Sequence, residues 1–505
     1  MPPPEQRDSY RIAAILSHSP SDRFFYTASL SRYSVSSKIG TGSKLDVPVN
    51  DPYQYDFFLR YVIDGQSALW SRSRQQTYTL KVDGTLKPGG NHLVKIGGEL
   101  NLYNLTSDIV KYEPRKTYFG KPLVNEPQLD FSSNYTYHPR SGSLYIQDKI
   151  DLATDGLLLN AGLRYDFLDP TADRPLIEAI PVRDTAYTFT YVGTAKSSLK
   201  QQFSPRFGGA MQIAENGYLF VNVGWYFQYP LFDYLYTGLD RVALTKGISA
   251  LTGNPDLDPE RTTAFEISLK YSFPGSNLVW SMTYFKKESR NLIDTKTFIP
   301  GDSKLGGNFG FAEYVNTPEA LASGFEIVLS RERGDWLTGE ISYTYMTAEG
   351  TSGSAQDAFY IAQYGLPPAV RVFPLSWDQT HTVKAVLTLV TPLDLNLNLV
   401  SEYHTGRPYT RYPTSDGFVP DTTGGGVFVQ NNARMPSYFN ADVKIEKVFG
   451  FSERVRMKLY LDVRNITNTQ NVKWVDSDGR IGGELGDPGG YYIGRRTSLG
   501  MQVEF

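Results

Sequence analysis

The chain repeats short segments in which apolar and polar residues alternate, each about ten residues long, the length of a tilted strand that crosses a bilayer. In the clearest segment, 261–273, every second residue is large and apolar: Phe265, Ile267, Leu269, Tyr271 and Phe273. The residues between them are Glu266, Ser268, Lys270 and Ser272. This pattern predicts about 17 strands, which begin near Ser9, Asp22, Gln75, His92, Gly142, Asp155, Lys200, Gly217, Arg261, Asn277, Ala320, Asp335, Thr380, Asp394, Tyr438, Arg454 and Arg495.

The connections between these segments alternate between short and long. The short ones are rich in Gly, Pro, Asn and Asp, as tight hairpins require, and lie at 17–21, 83–90, 153–156, 214–217, 274–277, 331–335, 391–394 and 450–453. The long ones lie near 34–74, 106–141, 168–199, 229–260, 288–319, 347–379, 405–437 and 467–494. Compact soluble domains rarely contain such long loops. Short periplasmic turns and long extracellular loops are typical of a transmembrane β-barrel, so we predict an all-β antiparallel barrel in the outer membrane.

Composition agrees with strands rather than helices as the membrane-spanning elements. No run approaches the ~20 apolar residues of a spanning helix, and the mean hydropathy is −0.34. A barrel keeps its average hydropathy low because only every second residue meets lipid. The net charge of −3 gives no support for a nucleic-acid partner, and the absence of Cys excludes disulfide scaffolds and thiolate metal sites.

The alternative is a soluble β-sandwich, propeller or β-helix, whose strands also alternate. The segment length and the loop pattern argue against it, as do aromatic residues near strand ends that suit interfacial girdles. These residues are Tyr10, Tyr26, Tyr165, Trp225, Tyr229, Trp280, Tyr284, Trp336, Tyr343 and Trp377.

Several short motifs resemble those of the TonB-dependent receptor family. The stretch 253–260 (GNPDLDPE) is similar to the family's GNPDLKPE signature, and 203–210 (FSPRFGGA) is similar to its SPR-x-G strand start. The segments 145–148 (YIQD), 162–166 (GLRYD), 377–382 (WDQTHT) and 465–468 (NITN) also match recurrent family motifs. Together they follow the family's order over about residues 75–505.

The resemblance implies active uptake of a scarce ligand such as an iron chelate, a vitamin or an oligosaccharide. External loops would capture this ligand, and the TonB complex would act on a plug domain inside the barrel. Candidate ligand contacts are aromatic residues of the loops, which could equally be packing residues: Tyr229, Phe232, Tyr234, Tyr236, Tyr403, Tyr409, Tyr412, Tyr491 and Tyr492. The alternation of Leu499, Met501, Val503 and Phe505 resembles the C-terminal signal read by the barrel-assembly machinery.

Barrels of this family have 22 strands, with both ends on the periplasmic side. The odd number predicted here leads us to expect that five strands, a plug and a signal peptide precede residues 1–505, which would be a truncated barrel domain. Such a fragment should not perform TonB-coupled transport alone. A passive porin or a surface adhesion barrel is the alternative function.

No catalytic, cofactor or metal site is predicted. The five His lie in different segments without metal-ligand spacing. Asp378 and His381 lie where a strand begins, and ordinary polar residues of a strand end are a better interpretation than a catalytic pair. The stretch 476–479 (DSDG) lacks the Glu of a helix–loop–helix calcium site, so a turn is the better interpretation.

Overall fold

Seventeen long strands, joined in chain order, build one antiparallel sheet. The computed structural model describes residues 5–40, 53–56, 61–65, 69–113, 128–152, 156–183, 186–239, 250–298, 311–332, 334, 336–358, 371–411, 429–450, 456–476 and 478–504. The long strands are β1 Glu5–Ser21, β2 Phe24–Ile39, β3 Leu69–Leu86, β4 His92–Glu113, β5 Arg140–Leu152, β6 Leu157–Asp169, β7 Lys200–Ala214, β8 Gly217–Gln228, β9 Glu260–Phe273, β10 Leu278–Phe298, β11 Phe311–Arg331, β12 Leu337–Gly350, β13 His381–Val390, β14 Leu395–His404, β15 Tyr438–Gly450, β16 Arg456–Arg464 and β17 Arg496–Glu504. They confirm the 17 strands predicted from alternation.

Within the described residues the sheet is open between its first and last strands. β1 pairs with β2 alone, and β17 pairs with β16 alone. Three further strands join the sheet of 20 at its outer end, namely Gln128–Tyr137, Ala250–Thr252 and Phe373–Pro374. No helix in the described part of the chain is long and apolar enough to cross a membrane.

The strand register places the apolar faces of neighbouring strands side by side. Ile267 lies opposite Val221 on β8 and Tyr284 on β10. At the other end of the sheet, Leu461 lies opposite Ile445 and Leu499. Because side chains alternate along a strand, this aligned set forms one continuous apolar face.

The opposite face is polar. Glu266 lies opposite Asn222, and Lys384 forms an ion pair with Glu402 at 3.6 Å. A sheet that exposes one apolar and one charged face fits a lipid-facing exterior and a water-facing lumen. The predicted environment of the two faces is therefore consistent with the strand register, with Arg32 on β2 and Asp148 on β5 as charged exceptions on the apolar face.

The long connections contain structure that alternation did not predict. Asp173–Arg183 and Ala186–Lys196 form a separate hairpin, and Gln128–Tyr137 pairs with the outer half of β4. The predicted loop 288–319 is wrong at both ends, because β10 and β11 stay paired as far as Phe298 opposite Phe311. These strands extend beyond a ten-residue membrane crossing, so the sheet rises above the bilayer there.

Three glycines each lie under an aromatic ring of the directly opposed residue. A Cβ on Gly500 would lie 2.2 Å from the Tyr460 ring, and Cβ atoms on Gly97 and Gly142 would lie 2.6 Å from the rings of Tyr145 and Phe167. A side chain at any of the three positions would therefore force the ring above it to move.

Candidate functional site

A one-turn helix, α1 (Phe232–Tyr236), follows β8 directly. It lies among the long connections at the outer end of the sheet, a region called the mouth. Leu235 and Tyr236 are completely buried. The Tyr236 ring stacks on Tyr137 with 4.4 Å between centroids, and its hydroxyl donates to the Pro170 carbonyl at 2.8 Å. Residues from five connections pack around the helix, so α1 and its neighbours form one loop core.

The motif 253–260 holds this helix in place. The Gly253 N–H donates to the Thr237 carbonyl at 2.5 Å, and the Asn254 N–H donates to the Tyr234 carbonyl at 2.8 Å. The buried Asn254 amide also donates to the Tyr314 carbonyl at 3.0 Å. A Cβ on Gly253 would lie 2.8 Å from the Leu235 carbonyl. The motif therefore joins α1 to the strand that carries Tyr314.

A buried cation anchors the same motif to β7. The Lys200 side chain is 7% exposed, and its Nζ donates to the Asp256 carboxylate at 2.9 Å and to the Asp258 carboxylate at 3.1 Å. Ser198 donates to Asp256 through its N–H and its hydroxyl. Because these groups lie 56 to 58 residues apart in sequence, their hydrogen bonds join two separate connections at the mouth.

We expect Gly253→Val to release α1 from the mouth while the long strands stay folded. A branched side chain there meets the helix backbone, and overpacking of this kind costs about 1–3 kcal/mol. Amide hydrogen exchange of residues 232–239 should then accelerate about tenfold or more, since a tenfold change corresponds to about 1.4 kcal/mol. Gly450→Ala is the control, because a Cβ at Gly450 meets no atom within 4 Å. Unchanged protection in the Gly253 variant would contradict this role.

The Asp256 contacts should make the mouth sensitive to acid. Burial raises the pKa of Asp256, but hydrogen bonds from Lys200 and Ser198 outweigh burial and lower this pKa to about 2. The ionised carboxylate therefore contributes its full stabilisation above the unfolded-state pKa of about 3.9 and loses it as the pH falls through about 2. Protease protection of the mouth should decrease between pH 4 and pH 2. In Asp256→Asn the decrease should be smaller, and an equal slope in both proteins would count against the assignment.

A cavity of about 300 Å³ lies beside α1, and its lining includes Tyr229, Tyr234, Glu260, Ser289 and Trp377. Glu260 and Ser289 share the polar face of the sheet, so the cavity opens on the lumen side. The buried Tyr229 hydroxyl has no hydrogen-bond partner within the described residues. Burial raises the pKa of Tyr229 and of Tyr234, so both hydroxyls are protonated and can donate at neutral pH.

The aromatic candidates from the sequence fall into different environments. Tyr229 and Tyr234 line the cavity. Phe232 packs against Tyr103 at 5.0 Å between centroids, and Tyr236 is buried and offers no surface to a ligand in this arrangement. Two of these four aromatic candidates therefore line the cavity.

The remaining candidates lie away from this cavity. Tyr403 belongs to strand β14 rather than to a loop, and it lies opposite Val383 on the apolar face. Tyr409 lies in the short strand Pro408–Tyr409, while Tyr492 packs edge-to-face against Tyr438 at 5.7 Å. Tyr491 is bridged to Val472. Tyr412 lies outside the described residues.

The sequence missed the role of the residues around Trp377. Trp377, assigned to a girdle by its position near a strand end, lines the cavity together with Ser352 and Leu375. The adjacent Asp378 is 4% exposed, forms an ion pair with Arg434, and accepts the Ala348 N–H at 3.0 Å. His381 instead contacts the Tyr343 hydroxyl at 2.9 Å. Asp378 and His381 thus have separate partners.

The last strand carries the residues of the predicted assembly signal. Leu499, Met501 and Val503 lie opposite Leu461, Leu459 and Met457 on the apolar face. Their recognition by the assembly machinery stays a prediction, and Phe505 lies outside the described residues.

A long antiparallel meander with one apolar face, short turns on one rim and a loop-filled mouth on the other defines the class of outer-membrane β-barrel proteins. The family model described as "TonB dependent receptor-like, beta-barrel" matches residues 3–466. The chain belongs to this family of TonB-dependent receptors and is an outer-membrane protein.

A curated relative matches part of the chain, and solved structures share its fold. The chain is similar to the "Iron-regulated outer membrane virulence protein" of Vibrio cholerae, with 33% identity over 137 residues, which are 26% of this chain and 20% of that protein. The outer membrane transporter YddB from Escherichia coli superposes with a TM-score of 0.65 at 13% identity. The superposition covers 99% of this chain and 62% of the YddB chain. The hemophore receptor HasR of Serratia marcescens, in complex with its hemophore HasA and heme, superposes with a TM-score of 0.60 at 17% identity. This superposition covers 99% of this chain and 66% of the HasR chain. The chain thus spans less than two thirds of these proteins.

Proposed function

We propose that this chain is the barrel of a receptor for TonB-coupled uptake, and that its ligand binds in the mouth cavity beside α1. The observation that carries the proposal is the lumen-side cavity lined by Tyr229, whose buried hydroxyl has no hydrogen-bond partner among the residues that the structure describes. In such a receptor, energy coupling would act through a plug domain inside the barrel.

A ferric chelate is the first ligand class to test. One relative is named as iron-regulated, and the HasR complex contains heme. The cavity chemistry supports a polar ligand that presents ring faces: the rings of Tyr234 and Trp377 provide stacking surfaces, and the tyrosine hydroxyls can donate hydrogen bonds. Vitamins and oligosaccharides share these requirements and are the other classes to compare.

The full chain, folded in detergent micelles, should be titrated with a ferric tris-catechol chelate and with the iron-free chelate. Trp377→Leu should weaken binding about tenfold, because a stacked aromatic contact contributes about 1 kcal/mol or more. Trp336→Leu is the matched control, since Trp336 is 54% exposed and lies outside the cavity lining.

Equal binding by both Trp variants would show that the ligand site lies elsewhere. A chain that binds no probe from the three ligand classes but conducts ions in planar bilayers would be a passive pore, and the proposal would fail.

A further inference from the structure

One carboxylate breaks the pattern of the lipid-facing surface. Asp148 lies on β5 between Ile146 and Ile150, opposite Val94 and Ala161, so its side chain belongs to the apolar face. Its Oδ2 atom contacts His92 Nδ1 at 2.7 Å. Its Oδ1 atom is buried and has no hydrogen-bond partner within the described residues. The Asp148 side chain as a whole is 30% exposed, and a carboxylate on an apolar face is costly unless a cation or donor pairs with it.

An apolar groove that includes Asp148 in its lining runs across four strands. Its lining combines two neighbouring rows of opposed residues: the first is Asp148, Ala161, Phe207 and Val223, and the second is Ile146, Leu163, Pro205 and Trp225. The small side chains of Ala161 and Pro205 leave the floor open, and the cavity volume is about 620 Å³. From β5 to β8 the groove spans three strand spacings, or about 14 Å.

Asp148 lies near the end of β5 that leads into the predicted periplasmic turn. β5 ends at Leu152, four residues beyond Asp148, where the short periplasmic turn to β6 begins. Four residues correspond to about 13 Å along the strand and, at a tilt of about 45°, to roughly 9 Å of depth. The carboxylate therefore faces the periplasmic leaflet of the outer membrane.

We propose that this groove is a binding site for one phospholipid with a primary ammonium headgroup. The ammonium would donate to the exposed part of the Asp148 carboxylate, and one acyl chain would lie along the groove toward Trp225. A primary ammonium supplies three N–H donors and a positive charge, so a single group both donates to the carboxylate and balances its charge. An anionic glycerol headgroup would be repelled by the same carboxylate. His92 holds Asp148 from the opposite side and acts as a positioning residue.

The test is native mass spectrometry of the full chain in micelles doped with equal amounts of phosphatidylethanolamine and phosphatidylglycerol. We expect one retained phosphatidylethanolamine, preferred about tenfold over phosphatidylglycerol. Asp148→Asn should remove this preference. Ala161→Leu fills the groove floor, leaves the Asp148–His92 pair intact, and should reduce retention about tenfold. Asp151→Asn, on the same strand but the polar face, is the matched control and should retain lipid normally.

Equal retention of both lipids by the wild-type chain would overturn the proposal, as would an Ala161→Leu variant that retains lipid normally. If Asp148→Asn does not fold, Ala161→Leu still decides the question. Phosphatidylcholine, whose quaternary ammonium has no N–H, should compete poorly for the site. Equal competition would refute the hydrogen bond to the Asp148 carboxylate. The outcome does not depend on the ligand of the mouth cavity.

Discussion

Replacing Ile267 by Arg should destabilise the folded protein by about 2–4 kcal/mol, the cost of placing an Arg on the lipid face near the bilayer midplane. Ile267 lies in the middle of β9, between Val221 and Tyr284 on the neighbouring strands. A guanidinium there would meet acyl chains and no carboxylate. The free energy of unfolding is measured by urea titration of the protein in lipid vesicles, followed by tryptophan fluorescence.

The neighbouring position provides the control for this experiment. Ser268 lies on the opposite face, next to Thr283 in the polar lumen. Ser268→Arg should therefore lower the free energy of unfolding by less than about 1 kcal/mol, the range of ordinary surface substitutions. If both variants lose the same stability, or if Ser268→Arg loses more, the assignment of the two faces is wrong.

Arg434→Met should be the second strongly destabilising substitution, with an expected loss of about 2–3 kcal/mol. It leaves the Asp378 carboxylate, only 4% exposed, without its cation. A fully buried ion pair that loses one partner costs about 3–5 kcal/mol, and the smaller value follows because Arg434 is itself 41% exposed. Arg434 also donates to the Gly406 carbonyl, so two external connections should loosen together.

Two comparisons separate this ion pair from a general charge effect. Lys384→Met removes an exposed pair with Glu402, whose side chains are 58% and 42% exposed, and should cost less than about 1 kcal/mol. The double variant Arg434→Met with Asp378→Asn should recover part of the loss, because no buried charge remains unpaired. Additive losses in the double variant would mean that the two residues act independently.

Alternation predicted the membrane-spanning part of the fold well because lipid imposes the same rule on every strand. A residue such as Leu269 must face outward wherever it stands in the sheet, so local sequence is sufficient. The external parts obey no such rule. The continuation of β10 to Phe298 and the five-residue helix α1 depend on partners from distant connections.

The candidate site was predicted only in part for the same reason. Tyr229 and Tyr234 were correctly placed in the loop that lines the cavity, since aromatic loop residues are visible in the sequence. The motif at 253–260 was recognised, but its contacts with Thr237 and Lys200 could not be read from spacing, because they join separate connections. Tyr403 was assigned to a loop because the end of a polar-rich strand is hard to locate.

The contact between Tyr460 and Gly500 affects the register in which the last strand, β17, pairs with β16. A slip of β17 by one residue would turn Leu499 and Met501 toward water, whereas a slip by two keeps every side chain on its proper face. The hydrophobic pattern therefore selects against a slip of one residue but not against a slip of two. A slip of two would place Ser498 or Gln502, rather than Gly500, opposite Tyr460, whose ring would then have to leave its present position. The contact between Tyr460 and Gly500 therefore disfavours the one misalignment that hydrophobicity alone would accept.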